Sequence, residues 1–336
     1  MPGDHLGTSA VAHPNIALIK YWGKRDELLK LPVADSLSMT LDLFPTTTTV
    51  RLAPGGVADN VTLDGVAAEG ERRQRVVAFL DLVREMAGRV EPATVVTRNS
   101  VPTGAGLASS ASGFAALAVA AAGAYGLDLD PTALSRLARR GSGSAARSIF
   151  GGFAIWYAGQ GTGTAADLAS YAEPVDVPGF DPALVIAVVN AGPKAVSSGA
   201  AMRRTVETSP LYRAWAESSR ADLADMRVAL RRGDLDAVGA IAERNALGMH
   251  ATMLAARPAV RYLSPATVTV LDSVLSLRAA GIAAYATMDA GPNVKVLCHR
   301  ADRERVAETL RAAVPDCSVF TARRGPGARL SAGADR

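Results

Sequence analysis

Apolar positions along this chain recur with two periods, and the alternation between them sketches a fold. Thr46 to Leu52, rich in Thr and Val, predicts a strand, whereas Arg72 to Gly88 places Val76, Val77, Leu80, Val83 and Met86 at helical spacing. A strand is expected over Thr94 to Asn99. After it, VPTGAGLASSASGFAALAVAAAGAYG reads as a glycine-containing loop running into an Ala-rich helix that ends near Gly126, and a second helix follows Pro131 and stops at Gly141. The apolar run Ala183 to Ala191 (ALVIAVVNA) predicts a buried strand, and the polar GPKAVSSGAAM leads into another helix. Beyond it, helices are expected over Pro210 to Arg232, Asp234 to Ala255 and Pro265 to Ala280. A hairpin-like pair follows around Ala290-Gly291-Pro292, then a helix from Asp302 and a last strand over Ser318 to Ala322. The reading is mixed α+β without internal repeat, divided near residue 185 into lobes 1–185 and 186–330, with 331–336 as a tail.

Size agrees with two lobes: 336 residues with 49% hydrophobic content can bury two medium cores. The net charge of +4 is mild and follows no basic run, which points to small anionic ligands and away from nucleic acid. The two cysteines, Cys298 and Cys317, lie in no metal-ligand spacing, so a reduced, cytoplasmic protein without a structural zinc is expected. The first residues lack a signal-peptide pattern, and the Ala-rich stretch is broken by Gly too soon to span a bilayer, so no membrane partner is expected. GQGTG (Gly159 to Gly163) lacks a strand-loop-helix context and reads as a surface loop.

Four segments carry candidate chemistry. Pro102 to Ser112 (PTGAGLASSAS) places Gly104 and Gly106 before a helix whose first turn holds Ser109 and Ser110; backbone N–H groups of such a loop and the helix N-terminus can cradle phosphates. It has neither the Lys of a Walker A loop nor Rossmann spacing, and a tight loop before an Ala-rich packing helix is the weaker alternative reading of the residues alone. In HPNIALIKYWGKRD (His13 to Asp26), Lys20 and Lys24 share a face in a helix, and Lys20, Trp22 and Lys24 share one in a strand; either would let the lysines converge on one anion. RRGSGSAARSIFGG (Arg139 to Gly152) offers hydroxyl and backbone donors before Arg147, whose planar fork suits a carboxylate. In YATMDAGPNVKVL (Tyr285 to Leu297), Asp289 interrupts two β-like runs at a Gly-Pro turn, a position that suits a turn-former as well as a catalyst.

Taken together these strings resemble the GHMP kinase superfamily, and within it the diphosphomevalonate decarboxylases. P-T-G-A-G-L-A-S-S-A, N-I-A-L-I-K-Y-W-G-K-R-D, G-S-G-S-A-x-R-S and T-M-D-A-G-P-N-V-K carry the likeness. VADSLSMTL, KAVSSGAAM and ERNALGMHAT support it in the expected order. The resemblance implies a two-lobed GHMP-kinase-like α+β fold with mixed or antiparallel sheets, packed helices and an N-terminal lobe like domain 2 of ribosomal protein S5. It implies ATP-dependent decarboxylation of 5-diphosphomevalonate to isopentenyl diphosphate, with ATP and Mg²⁺ as cofactors and a homodimeric assembly.

Residue by residue, the resemblance puts ATP phosphates against Pro102, Gly104, Ala105, Gly106, Leu107, Ala108, Ser109 and Ser110, with Ser110 also near the metal. It gives substrate contacts to Asn15, Tyr21, Lys24, Ser142, Ser144, Arg147 and Ser198. Asp289, Lys20 and Arg147 are the implied catalytic set: Asp289 facing the tertiary hydroxyl, Lys20 beside it, and Arg147 on the carboxylate. One departure stands out. Gly199 occupies a position where bacterial relatives commonly carry Arg, which leaves 5-phosphomevalonate open as an alternative substrate, with Arg203 or Arg204 as compensating cations. A superfamily kinase that stops at the phosphorylated alcohol would release no carbon dioxide, and a silent binding protein would show ATP hydrolysis independent of mevalonate derivatives.

Overall fold

The computed structural model describes residues 7–100, 109–190, 192 and 196–331. Three sheets dominate. The first runs in the order Arg329–Leu330, Thr8–Ala12, Thr46–Leu52, Ala93–Asn99, Asn60–Leu63, Val66–Ala67. Its strand Thr46–Leu52 buries Thr46, Thr48 and Val50 while Thr47 and Arg51 face out, the period-two pattern of a sheet covered on one side. Helix Ser109–Ala124 covers it, packing on Thr8–Ala12 and Thr46–Leu52. Seven of its alanines, among them Ala111, Ala115 and Ala118, are buried; small side chains let the helix backbone approach the sheet closely.

The second sheet runs Ala172–Val175, Phe153–Trp156, Ser36–Thr40, Asn15–Ile19, and the third runs Ala284–Met288, Val294–Cys298, Ala183–Val188, Ser318–Ala322. Strand pairs in both are antiparallel. Helices Tyr212–Arg232 and Leu235–Leu254 pack on each other, and their apolar faces complete a core that joins Ile16, Leu18 and Leu37 of the second sheet to Leu184, Ile186 and Leu297 of the third. This cluster crosses the division expected at residue 185. The strand holding that position, Ala183–Val188, lies wholly in the third sheet, and Arg329–Leu330 returns to the first.

Several expected elements occur with small shifts: helices Gly70–Ala87, Pro131–Gly141, Tyr212–Arg232, Leu235–Leu254, Pro265–Ala279 and Arg303–Ala313, and strands Thr46–Leu52, Ala93–Asn99, Ala183–Val188 and Ser318–Ala322. On Gly70–Ala87 the buried face is Val76, Phe79, Leu80 and Val83, with Met86 exposed, so Phe79 takes the place expected for Met86. Asn15–Ile19 and Ser36–Thr40 have no counterpart among the predicted strands: all five residues of each are buried, which removes the alternation that marks a half-buried strand. Gly159 to Gly163 forms bends that enter the short helix Gly163–Ala169. No helix among the described residues is long and apolar enough to cross a membrane.

Candidate active site

Asp289 follows the last residue of strand Ala284–Met288, where the chain enters the Gly-Pro turn toward Val294–Cys298. Its carboxylate bridges the two halves of the molecule. Lys20 Nζ donates to Oδ1 at 2.8 Å, and Lys295 Nζ lies 3.3 Å from Oδ2. Both lysines are buried, whereas 31% of the Asp289 side chain is open to the cleft. Burial alone would raise the Asp289 pKa, but the two ammonium groups outweigh it and hold the carboxyl well below the usual carboxylate range. Burial lowers Lys20 to about 8, opposed by Asp289 and reinforced by Lys295 and Arg147. His250 Nε2 sits 3.2 Å from the Asp289 carbonyl oxygen, and burial lowers that imidazole to about 4, so it is neutral at pH 7.

The placement of Lys20 is set by backbone. A bulge between Ala17 and Ile19 shifts the register against Ser36–Thr40 just before Lys20, and bulges re-aim the side chains that follow. Asn245 Oδ1, from helix Leu235–Leu254, accepts the Lys20 backbone N–H at 2.8 Å. The Asn245 amide in turn donates to Ser219 Oγ and Asp222 Oδ2, so the second half of the chain fixes the lysine of the first. Lys20 Nζ makes a further bond to the Ala17 carbonyl at 2.7 Å.

Arg147, on the short helix Ala145–Ser148, is buried under the second sheet. Its Nε donates to Ser38 Oγ at 2.9 Å, Nη1 donates to Ser36 Oγ, and Nη2 donates to Asn15 Oδ1 at 3.3 Å. Ser36 and Ser38 are two apart on one strand and so share a face. A guanidinium has five N–H bonds. Three are engaged by described residues, which leaves one on Nη1 and one on Nη2 without a partner among them. The guanidinium also lies 5.8 Å from the Trp156 ring centroid. Burial lowers Arg147 to about 10, still a cation at pH 7. Asn15 is held by Ser144 O at 3.0 Å and Ser148 Oγ at 2.8 Å, so it orients Arg147.

A more open region lies beside this pair. Gly23 has φ of 112°, and a side chain there would collide with the Tyr212 hydroxyl, so the chain turns sharply between Tyr21 and Lys24. Consequently Lys20 and Lys24 do not share a face by either periodicity: Lys20 meets Asp289, while Lys24 is half-buried and pairs with Glu27 at 2.5 Å. Tyr21 packs edge-on against Trp156 with ring centroids 4.7 Å apart, and its hydroxyl is buried without a hydrogen-bond partner among the described residues. A Cβ at Gly143 would come within 2.9 Å of the Tyr21 ring, which keeps that loop close. Ser142 Oγ lies 3.3 Å from Ser110 Oγ on the first turn of helix Ser109–Ala124. Lys30 is held below its ordinary pKa, first by burial and then by Lys24, Arg75 and Arg140, so this rim is electropositive.

The first half of the chain, residues 12–171, matches the family model described as diphosphomevalonate decarboxylase-like N-terminal domain, and residues 184–326 match mevalonate 5-diphosphate decarboxylase C-terminal domain. The diphosphomevalonate decarboxylase of Ganoderma lucidum is 35% identical over 334 residues, covering 93% of this chain and 83% of its own. The chain belongs to the diphosphomevalonate decarboxylase family. Within reach of it is also the phosphomevalonate decarboxylase of Haloferax volcanii, 34% identical over 317 residues and 94% of each chain. A solved structure, MDDEF in complex with MVAPP, AMPPCP and magnesium, superposes with a TM-score of 0.91 at 44% identity over 97% of this chain and 99% of that one. The fold is therefore the two-lobed α+β fold of GHMP-kinase type.

Of the residues this family likeness singled out, Asp289, Lys20, Arg147, Asn15, Tyr21, Ser142 and Ser144 gather around one cleft. Lys24 lies beyond the turn at Gly23. Ser198 opens helix Ser198–Thr208, capped by Ser197. The loop positions Pro102, Gly104, Ala105, Gly106, Leu107 and Ala108 lie outside the described residues, and Ser109 is described only as the first helical residue. The decarboxylase-family strings also hold further residues of the site, Lys295, Ser36, Ser38, Asn245 and His250, and Trp156 joins them from outside any of those strings. A charge inside V-K-V-L-C and hydroxyls two apart in S-L-S were the available signals.

Proposed function

We propose that this protein catalyses the ATP-dependent decarboxylation of 5-diphosphomevalonate to isopentenyl diphosphate, ADP, phosphate and carbon dioxide, and that the residues gathered around Asp289 perform it. The observation that carries the reading is a cleft-facing carboxylate gripped by a buried lysine, beside a buried arginine with two N–H bonds left to offer. A tertiary hydroxyl leaves poorly as hydroxide. Phosphorylation of that oxygen by the γ-phosphoryl group of ATP makes it a phosphate, and such transfer depends chiefly on positioning and charge.

Asp289 orients the hydroxyl and takes its proton as the oxygen–phosphorus bond forms. Held so far below the usual range it is a weak base, which suits a loose transition state in which little proton transfer is needed early. When phosphate departs with the bonding pair, the carbon–carbon bond to the substrate carboxylate supplies the electrons of the new alkene and carbon dioxide leaves. Arg147 holds that carboxylate through its two remaining N–H bonds. A guanidinium also stabilises the group that must be lost, so its gain lies in orientation.

The nucleotide's phosphates fall to the loop 102–108 and to Ser109 and Ser110 at a helix N-terminus. Ser110, at the first turn of the helix, would be the protein contact of a Mg²⁺ carried by the triphosphate. That ion would neutralise charge on the phosphates.

The substrate's own phosphates fall to Tyr21, Lys24, Ser142, Ser144 and Ser198. Gly199 offers no side chain, but Arg203 Nη1 lies 4.0 Å from where one would begin. Positions 199, 203 and 206 share a helix face, and Val206 Cγ2 stands 3.2 Å from a Cβ built on Gly23, next to Lys24. Arg203 therefore takes the compensating role; the charge of Arg204 is felt at Tyr262. A homodimer and a cytoplasmic location, both implied by the family, belong to the same reading. The test is kcat/KM for 5-diphosphomevalonate against 5-phosphomevalonate, each with ATP and Mg²⁺. The diphosphate should be preferred at least about tenfold, the value of one charge-assisted phosphate contact; preference for the monophosphate would overturn the substrate.

A further inference from the structure

Basic residues in this chain are overwhelmingly arginine: of 36, only Lys20, Lys24, Lys30, Lys194 and Lys295 are lysine. One of these five stands in the middle of V-K-V-L-C, five buried positions on an inner strand of the third sheet. Lysine on a strand ordinarily keeps its ammonium in water, yet Lys295 is 1% exposed. Its cross-strand partners are Ile186 and Thr287. Thr287 Oγ1 donates to the Ala17 carbonyl at 3.3 Å, so this sheet face is turned toward Asn15–Ile19 and Lys20. Nζ has two neighbours there, the Asn293 carbonyl at 3.4 Å and Asp289 Oδ2 at 3.3 Å. Burying an ammonium this deeply carries a desolvation cost, and an apolar residue would fill the same space. Packing does not account for it.

We propose that Lys295 is a positioning residue for the reaction: with Lys20 on Oδ1 and Lys295 on Oδ2, the Asp289 carboxylate is pinned at both oxygens, which sets the plane in which it meets the substrate's hydroxyl. Only the identity of that hydroxyl rests on the decarboxylase reading. The pinning also has an electrostatic consequence. Among the described residues, four titratable groups face Asp289: Lys20 from the end of Asn15–Ile19, Lys295 from Val294–Cys298, Arg147 from Ala145–Ser148 and His250 from Leu235–Leu254. His250 is neutral and Arg147 remains charged near pH 7. Lys20 stands at about 8, lowered first by burial, with Lys295 across the shared carboxylate adding to that lowering. Removing Lys295 therefore relieves Lys20 of a like charge, and the Lys20 titration moves up.

Five lysines are few enough to follow individually by NMR in enzyme labelled with ¹³C at lysine Cε. In Lys295→Met the Lys20 midpoint should rise by several tenths of a pH unit. kcat should fall about tenfold or more while KM for ATP stays put, as expected when a reacting group is misaligned. Lys295→Arg should return the Lys20 midpoint and most of kcat. A Lys20 midpoint unmoved in folded Lys295→Met overturns the proposal. Should that variant not fold, Asp289→Asn in the labelled enzyme serves: two lysine signals respond if both hold the carboxylate, and a response from one alone overturns it. The lysine titrations need no turnover, so an enzyme that released no carbon dioxide would sink the decarboxylase reading and leave the pinning to stand or fall by itself.

Discussion

The carboxylate end of the cleft and the phosphate end are assembled in opposite ways. At the first, buried Lys20 and Lys295 both grip Asp289, and buried Arg147 donates hydrogen bonds to each of Asn15, Ser36 and Ser38, themselves buried. At the second, Lys24 is partnered by exposed Glu27, Arg203 lies exposed on its helix, and the Tyr21 hydroxyl has no partner among the described residues. Groups that act on the reacting bonds must already be aimed, because reorganisation during the reaction would raise the barrier. Groups that hold a diphosphate can wait, since its charge supplies the interaction that orders them. Substitutions at the first end should therefore act on kcat and those at the second on KM.

The largest effect belongs to Asp289→Ala. It should cost about 10³-fold or more in kcat with ATP affinity nearly unchanged, measured by turnover and by nucleotide titration; near-normal turnover would remove the mechanism. Arg147→Lys keeps the charge but loses the fork, and about a 10²-fold loss in kcat is expected. A loss confined to KM would assign Arg147 to the phosphate end instead. The pH dependence comes next. The ammonium form of Lys20 grips Asp289, and that proton is lost as pH rises through about 8, so kcat should decline on the alkaline side by about tenfold per unit beyond it. On the acid side Asp289 remains ionised and His250 stays neutral until about 4, so neither causes loss between about pH 5 and 7. Smallest is the exposed cation: Arg203→Ala should raise KM for the diphosphate substrate about 3- to 10-fold at constant kcat, and Arg204→Ala less than about twofold. Equal effects would mean that the rim acts as a diffuse field.

The same contrast governs what the sequence could disclose. Asp289, Lys20 and Arg147 stand in strings distinctive enough to be read, and helices such as Tyr212–Arg232 announce themselves by spacing. Ser36 and Ser38 did not, because a strand buried on both faces carries no alternation and a serine inside it resembles any small core residue. Lys295 was hidden for a related reason: its partner lies six residues back but across a hairpin, and only the register Thr287 to Lys295 shows which face it takes. Asn245 holds Lys20 from 225 residues away, a pairing no local pattern encodes. Even Lys20 and Lys24, placed on one face by either period, were separated by the turn at Gly23.

Decarboxylation itself is tested most directly by incubating the enzyme with ATP, Mg²⁺ and 5-diphosphomevalonate labelled in its carboxyl carbon, and following labelled carbon dioxide and ADP together. Equal amounts of the two, with phosphate in the same proportion, are the predicted result. ADP formed without labelled carbon dioxide would make the protein a kinase that stops at the phosphorylated alcohol, and would contradict the account.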